Sequence, residues 1–192
     1  TLSGANAMMG IQDDVAACVW RGNAVNQGGF YVTFRFANWN EASGSRAFIG
    51  LQTGNIFSGN PGVGNTNTTL WTNCIGMGYE SSDPIDNNWE LMSVDENGLN
   101  TKIRISSSLS GVATRDGDTV YELHLYSPPF GTFIGVKVLN ISSGTVLYNN
   151  STFSGNLPAR SVFMGPTAQW GTGSSSTQLT ASIMHIIGQT YT

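Results

Sequence analysis

Side chains able to do chemistry are few in this chain of 192 residues, and only two of them are histidines. His124 alternates with Glu122 and Tyr126 in TVYELHLY (119–126), so the three share one face of a strand. A histidine between a carboxylate and a phenol suits acid–base or glycan-contacting work. The plainer reading is a solvated sheet face with cross-strand pairs. His185, between Met184 and Ile186, reads as a packed or interface histidine. A glycosidase needs two carboxylates roughly 5–10 Å apart. Glu80, Asp83, Asp86, Glu90, Asp95 and Glu96 supply acids, but none falls in the E-x-D-x-x-E pattern of closely alternating carboxylates, and no GxSxG elbow is present. Asp83, Asp86, Asn87 and Asn88 carry enough oxygens for Ca²⁺, at a spacing that matches no defined calcium loop; Asx turns account for the same residues. Calcium is therefore the one cofactor left open, and no catalytic residue is assigned.

Recognition has better material. The segment Glu80–Asn88 places three acids, two Asn, two Ser and one Pro between Tyr79 and Trp89. Trp39, followed by Asn40, and Trp170, preceded by Gln169, stand beside loop-like sequence. An exposed indole stacks on the C–H face of a sugar while neighbouring amides bind its hydroxyls. For Trp39 and Trp170 that platform and a plug in the core or a subunit seam are open alternatives. Trp71 and Trp89, inside strand-like runs, read as core. The candidate ligand-binding set is Trp39, Asn40, Glu80, Asp83, Asp86, Asn88 and Trp170, with Asp83 and Asp86 doubling as calcium ligands.

The elements that must position these residues are strands. In FYVTFRFA (30–37), Phe30, Val32, Phe34 and Phe36 face one way and Tyr31, Thr33 and Arg35 the other. Further runs stand at 46–52, 70–79, 89–94, 101–105, 119–126, 133–141, 145–149, 161–165 and 179–188. Asp95–Gly98 and Ser142–Gly144 read as turns, and Pro128–Pro129 ends a strand. About ten short strands and no long helix define an all-β, two-sheet antiparallel sandwich. Residues 23–192 form that domain; 1–22 read as a linker or docking segment, in which Gly10–Arg21 has a turn or two of helical spacing. Hydrophobic residues are 40% of the chain, enough for a core, while charged residues are only 10%, so Asn, Ser, Thr and Gly must supply the polar surface. A net charge of −4 leaves no basic footprint for nucleic acid, and no apolar run reaches membrane length. Cys18 and Cys74 read as two buried thiols ahead of a disulfide.

The ordered set GGFYVTFRF, RAFIGLQTG, TNCIGMGYESSD with NNWELM, NGLNTKIRISSS, TVYELHLYSPP, VKVLNISSG, NLPAR and the late Trp170 resembles a domain near the ends of bacteriophage tail fibres and fibre-like proteins, over roughly 160 residues. The resemblance implies a concanavalin-like or jelly-roll sandwich at a fibre tip, a homotrimer attaching a virion to its host through cell-surface glycan. It also implies a place on the virion, assembly in the host cytoplasm, and contacts with other virion proteins through the N-terminus. It transfers no binding residues. A purely structural, trimerisation or capsid-decorating role, and a carbohydrate-active enzyme on the same scaffold, are the alternatives it leaves.

Overall fold

The computed structural model describes residues 8–12, 19–40, 46–53, 72–79, 89–107, 111–112, 119–171 and 180–190. Among the described residues, thirteen strands run β1 (Met8–Gln12), β2 (Phe30–Asn40), β3 (Arg46–Gln52), β4 (Cys74–Tyr79), β5 (Glu90–Val94), β6 (Asn100–Arg104), β7 (Ser106–Ser107), β8 (Gly111–Val112), β9 (Val120–Ser127), β10 (Ile134–Asn140), β11 (Thr145–Phe153), β12 (Gly165–Gly171) and β13 (Thr180–Thr190). They build a six-stranded sheet, β1-β12-β3-β4-β5-β6, a five-stranded sheet, β11-β10-β9-β2-β13, and the small pair β7-β8. All pairings are antiparallel, as expected for the two-sheet sandwich.

Period-two alternation decides which side chains enter the core. Phe30, Val32, Phe34 and Phe36 of β2 are fully buried, with Tyr121, Leu123 and Leu125 of β9 beside them. From the opposite sheet come Ile49, Leu51, Ile75, Met77, Leu91 and Trp170. Trp89 packs edge-on against Tyr79 (4.9 Å between ring centroids) and Phe36 (5.1 Å). Tyr79 and Trp89, which flank the Glu80–Asn88 segment, are thus core anchors rather than an aromatic rim for a ligand. The outward face of the six-stranded sheet is buried too: Phe48, Cys74, Met92 and Val94 form a second apolar cluster. Its central strands touch closely at the Gly50–Gly76 pair, where a Cβ on either glycine would lie 2.3 Å from a backbone oxygen. Cys74 is a free, buried thiol; Cys18 lies outside the described residues.

Two strands differ from the sequence reading, and Arg21 of the expected linker is buried. Met8–Gln12, inside the expected 1–22 linker or docking segment and only partly within the helical spacing of Gly10–Arg21, pairs along β12, and Val19 bridges Met164. The gain of a full ladder of backbone hydrogen bonds on an open sheet edge outweighs weak helical spacing in so short a segment. The strand expected at 161–165 begins only at Gly165 and extends through Trp170, because Ala168 and Trp170 point into the core. Arg21, also within the expected linker, is 4% exposed and donates to the carbonyls of Pro158 and Gly131, both at 2.6 Å. One guanidinium thereby ties three chain segments together at one end of the sandwich.

Candidate functional site

The outward face of the five-stranded sheet differs from its counterpart: it is polar and open. Register sets its residues in cross-strand rows. One row runs Tyr31 (β2), Tyr126 (β9), Gly135 (β10). The next runs Thr33, His124, Lys137, Asn149 (β11). A third pairs His185 (β13), Arg35 and Glu122. A register shift in the β10–β11 pairing between Ile134 and Val136 sets two β11 residues against Gly135. Such a bulge bends and twists its strand. Ser151 and Thr152 sit there, exposed, as one wall of a groove of about 530 Å³ whose other lining includes Tyr31, Tyr126, His124, Lys137 and Asn149. Gly135 leaves room for a ligand: a Cβ there would meet the Tyr126 ring and the Ser151 oxygen only at 3.5–3.7 Å. The groove thus has two phenol rings, 36% and 38% exposed, beside an ammonium, an amide and two hydroxyls.

A hydrogen-bonded chain underlies this surface. Arg35 donates through Nε and Nη2 to Glu122 Oε2 at 2.8 and 2.5 Å. His124 Nε2 lies 2.8 Å from Glu122 Oε1, and His185 Nε2 3.9 Å from Oε2. With the His124 proton on Nε2, its Nδ1 accepts from the Tyr31 hydroxyl and stands 3.2 Å from Thr33 Oγ1. Burial draws the His124 pKa below the ordinary imidazole value; Glu122 opposes this, while Lys137 and Arg35 reinforce it. Burial would raise the Glu122 carboxyl, but the Arg35 hydrogen bonds and charge, with His124, outweigh it and hold Glu122 low. At neutral pH the chain is therefore Arg35⁺, Glu122⁻ and neutral His124, and the Tyr31 oxygen keeps its lone pairs for an incoming hydroxyl. Lys137 makes no ion pair among the described residues. Glu122 is the one carboxylate in the network, so the two-acid geometry of glycoside hydrolysis is not assembled from the described residues of this face.

The residues singled out from sequence fare differently. Trp170 is 2% exposed inside β12, packed in the main core, so its ring is withdrawn from any ligand face. Trp39 and Asn40 end β2, about 26 and about 30 Å along the strand from Tyr31 at roughly 3.3 Å per residue; their side chains lie outside the description. Glu80, Asp83, Asp86 and Asn88, with the calcium reading, lie outside the described residues. β2, β4 and β12 end, and β3, β5 and β13 begin, at the same end of the sandwich, by the registers Gly171–Arg46, Ala47–Tyr79, Gly78–Glu90 and Asn40–Thr180. Among the described residues, no three His, Cys, Asp or Glu side chains gather as a metal site. The Glu122–His124–Tyr126 trio, read first as a solvated face, lies in or beside the groove. Sequence reasoning missed Tyr31, Gly135, Lys137, Asn149, Ser151 and Thr152 as its neighbours. The usable signal was the shared outward alternation of Tyr31-Thr33-Arg35 and Glu122-His124-Tyr126.

No protein-family model and no curated protein matches the sequence. The fold, by contrast, is that of lectin-like, concanavalin-type β-sandwiches. The chain superposes on the lectin UEA-II complexed with galactose at a TM-score of 0.58 and 12% identity, covering 100% of this chain and 85% of that one. It matches the exoplasmic/lumenal domain of VIP36 in its Ca²⁺/Man3GlcNAc-bound form at 0.60 and 11%, covering 98% and 75%. A third likeness is to the CBM2 module of the evolved Dit of Lactobacillus casei BL23 phage J-1, at 0.50 and 13%, covering 96% and 68%.

Proposed function

We propose that this chain is a glycan-binding β-sandwich, without catalysis, that serves a bacteriophage fibre or tail in attaching to its host. The observation that carries the binding part is the groove over Gly135. Two tyrosine rings lie beside it for stacking on a saccharide, with amide, hydroxyl and ammonium groups within the same lining for its hydroxyls. The lectin-like fold and the bound sugars named for two of its structural neighbours support that reading. Attachment to a virion is supported by the ordered fibre-like motifs and by the phage module of similar fold. In that setting a homotrimer would present three grooves, and modest affinity at each would be multiplied by avidity.

The test is binding of the purified protein to a panel of bacterial surface polysaccharides, with Gly135→Leu alongside. That substitution needs no backbone shift, since its Cβ meets only ordinary contacts, and it sends a side chain into the groove. Saturable binding lost in Gly135→Leu, with unfolding temperature preserved, is expected. Equal binding by both proteins would move the site elsewhere.

A further inference from the structure

We propose that the groove selects saccharides bearing an anionic group, carboxylate or phosphate, with Lys137 as the specificity-determining residue; this rests on the glycan-binding reading above. The charges around the groove are unevenly committed. Glu122, which would repel an anion, is held by two Arg35 hydrogen bonds and by His124, one row away from Lys137. Lys137 stands between His124 and Asn149 in its own row, half-buried, and makes no ion pair among the described residues. An ammonium that lines the groove without an ion pair is available to a negative charge on a ligand. A ligand anion meets it through a charge-assisted hydrogen bond, with the Asn149 amide and the Ser151 and Thr152 hydroxyls along the same wall as further donors. The tyrosine row lies two residues along each strand, roughly 6.6 Å away, close enough for one sugar unit to stack there while its substituent reaches Lys137. Recognition would therefore be split: rings hold the saccharide face, and the ammonium reads its charge.

The experiment compares acidic bacterial polysaccharides with their own carboxyl-reduced or dephosphorylated derivatives, for the wild type, Lys137→Met and Gly135→Leu, at low and high salt. Methionine keeps the length and apolar stem of the side chain and removes only the charge. We expect the wild type to prefer the charged form by about tenfold, the worth of one charge-assisted hydrogen bond, with the preference shrinking as salt rises. Lys137→Met should bind charged and neutral forms alike, near the wild type's neutral affinity. Equal wild-type binding of both forms, or an unchanged preference in Lys137→Met, overturns the role of Lys137 and leaves the groove standing. Undiminished binding by Gly135→Leu overturns the groove itself.

Discussion

Tyr126→Ala tests the stacking surface with little structural side effect. Tyr126 is 38% exposed. A tyrosine offers roughly 200 Å² in all, so about 75 Å² of it remains available to a ligand. Covering all of that would contribute about 2 kcal/mol at about 25 cal/mol per Å². A sugar ring lying on one face covers about half, giving about 1 kcal/mol, or about fivefold in Kd. The phenol forms none of the Glu122–His124 contacts, so the network persists in the variant. The stability cost at such an outward sheet position should stay near 0.5–1 kcal/mol. Calorimetric titration with a polysaccharide that binds the wild type measures the affinity, and thermal unfolding controls for the fold. Tyr126→Phe, which keeps the ring, should bind within about twofold of wild type. A wild-type Kd for Tyr126→Ala, in a protein of unchanged stability, would refute stacking at this ring. An equal loss in Ala and Phe variants would show instead that the hydroxyl makes the contact.

Other outcomes follow from the same geometry. Gly76→Ala forces a methyl group to 2.3 Å from the Ile49 carbonyl oxygen and should lower the urea-unfolding free energy by about 3 kcal/mol, whereas Gly135→Ala should leave it within about 0.5 kcal/mol. Arg21→Met removes both donors that tie Pro158 to Gly131 and should cost about 3 kcal/mol, seen as a lower unfolding temperature. The folded-state pKa values of His124 and Glu122 both lie below their ordinary 6.5 and 4.5, so on acidification the unfolded chain takes up each proton first. Stability should fall as pH drops below 6.5 and again below 4.5, and His124→Gln should remove the upper phase in urea titrations. The Cys74 thiol, fully buried and pushed far above the ordinary thiol range by desolvation, should resist a thiol reagent in the folded protein and react only on unfolding.

The sandwich was legible because alternation is a local signal. The four inward residues of β2 and the three of β9 could be read directly from FYVTFRFA and TVYELHLY, and the turns at Asp95–Gly98 and Ser142–Gly144 from residues that tolerate positive φ, as Gly98 and Gly144 confirm at 79° and 73°. Sheet membership was not legible. Met8–Gln12 carries a weak pattern of its own, and its strand exists because β12 offers an open edge. Trp170 was ambiguous for the same reason. A Trp one residue before a Gly-rich stretch looks like a loop residue until the partner strand fixes which face it occupies. The groove is a third case: Tyr31, Tyr126 and Gly135 are distant in sequence, and only register puts them in one row. The bulge that raises Ser151 and Thr152 beside them leaves no mark in the sequence at all.

Charge economy gives the strongest reason to read the open sheet face as functional. The whole chain has eight Lys and Arg, twelve Asp and Glu, and two His. Both histidines approach one glutamate here, that glutamate takes two hydrogen bonds from one arginine, and a lysine without an ion pair among the described residues stands one row away. Stability does not require such a gathering, because a partly exposed ion pair contributes only about 0–1 kcal/mol. A solvated face could be covered by the Asn, Ser and Thr that this chain uses elsewhere. What the gathering does accomplish is orientation. Arg35 fixes Glu122, Glu122 fixes the His124 tautomer, and His124 fixes the direction of the Tyr31 hydroxyl at the edge of the groove. That chain of dependence ends at an exposed phenol beside a lysine without an ion pair among the described residues, and under the glycan-binding proposal both face the bound saccharide.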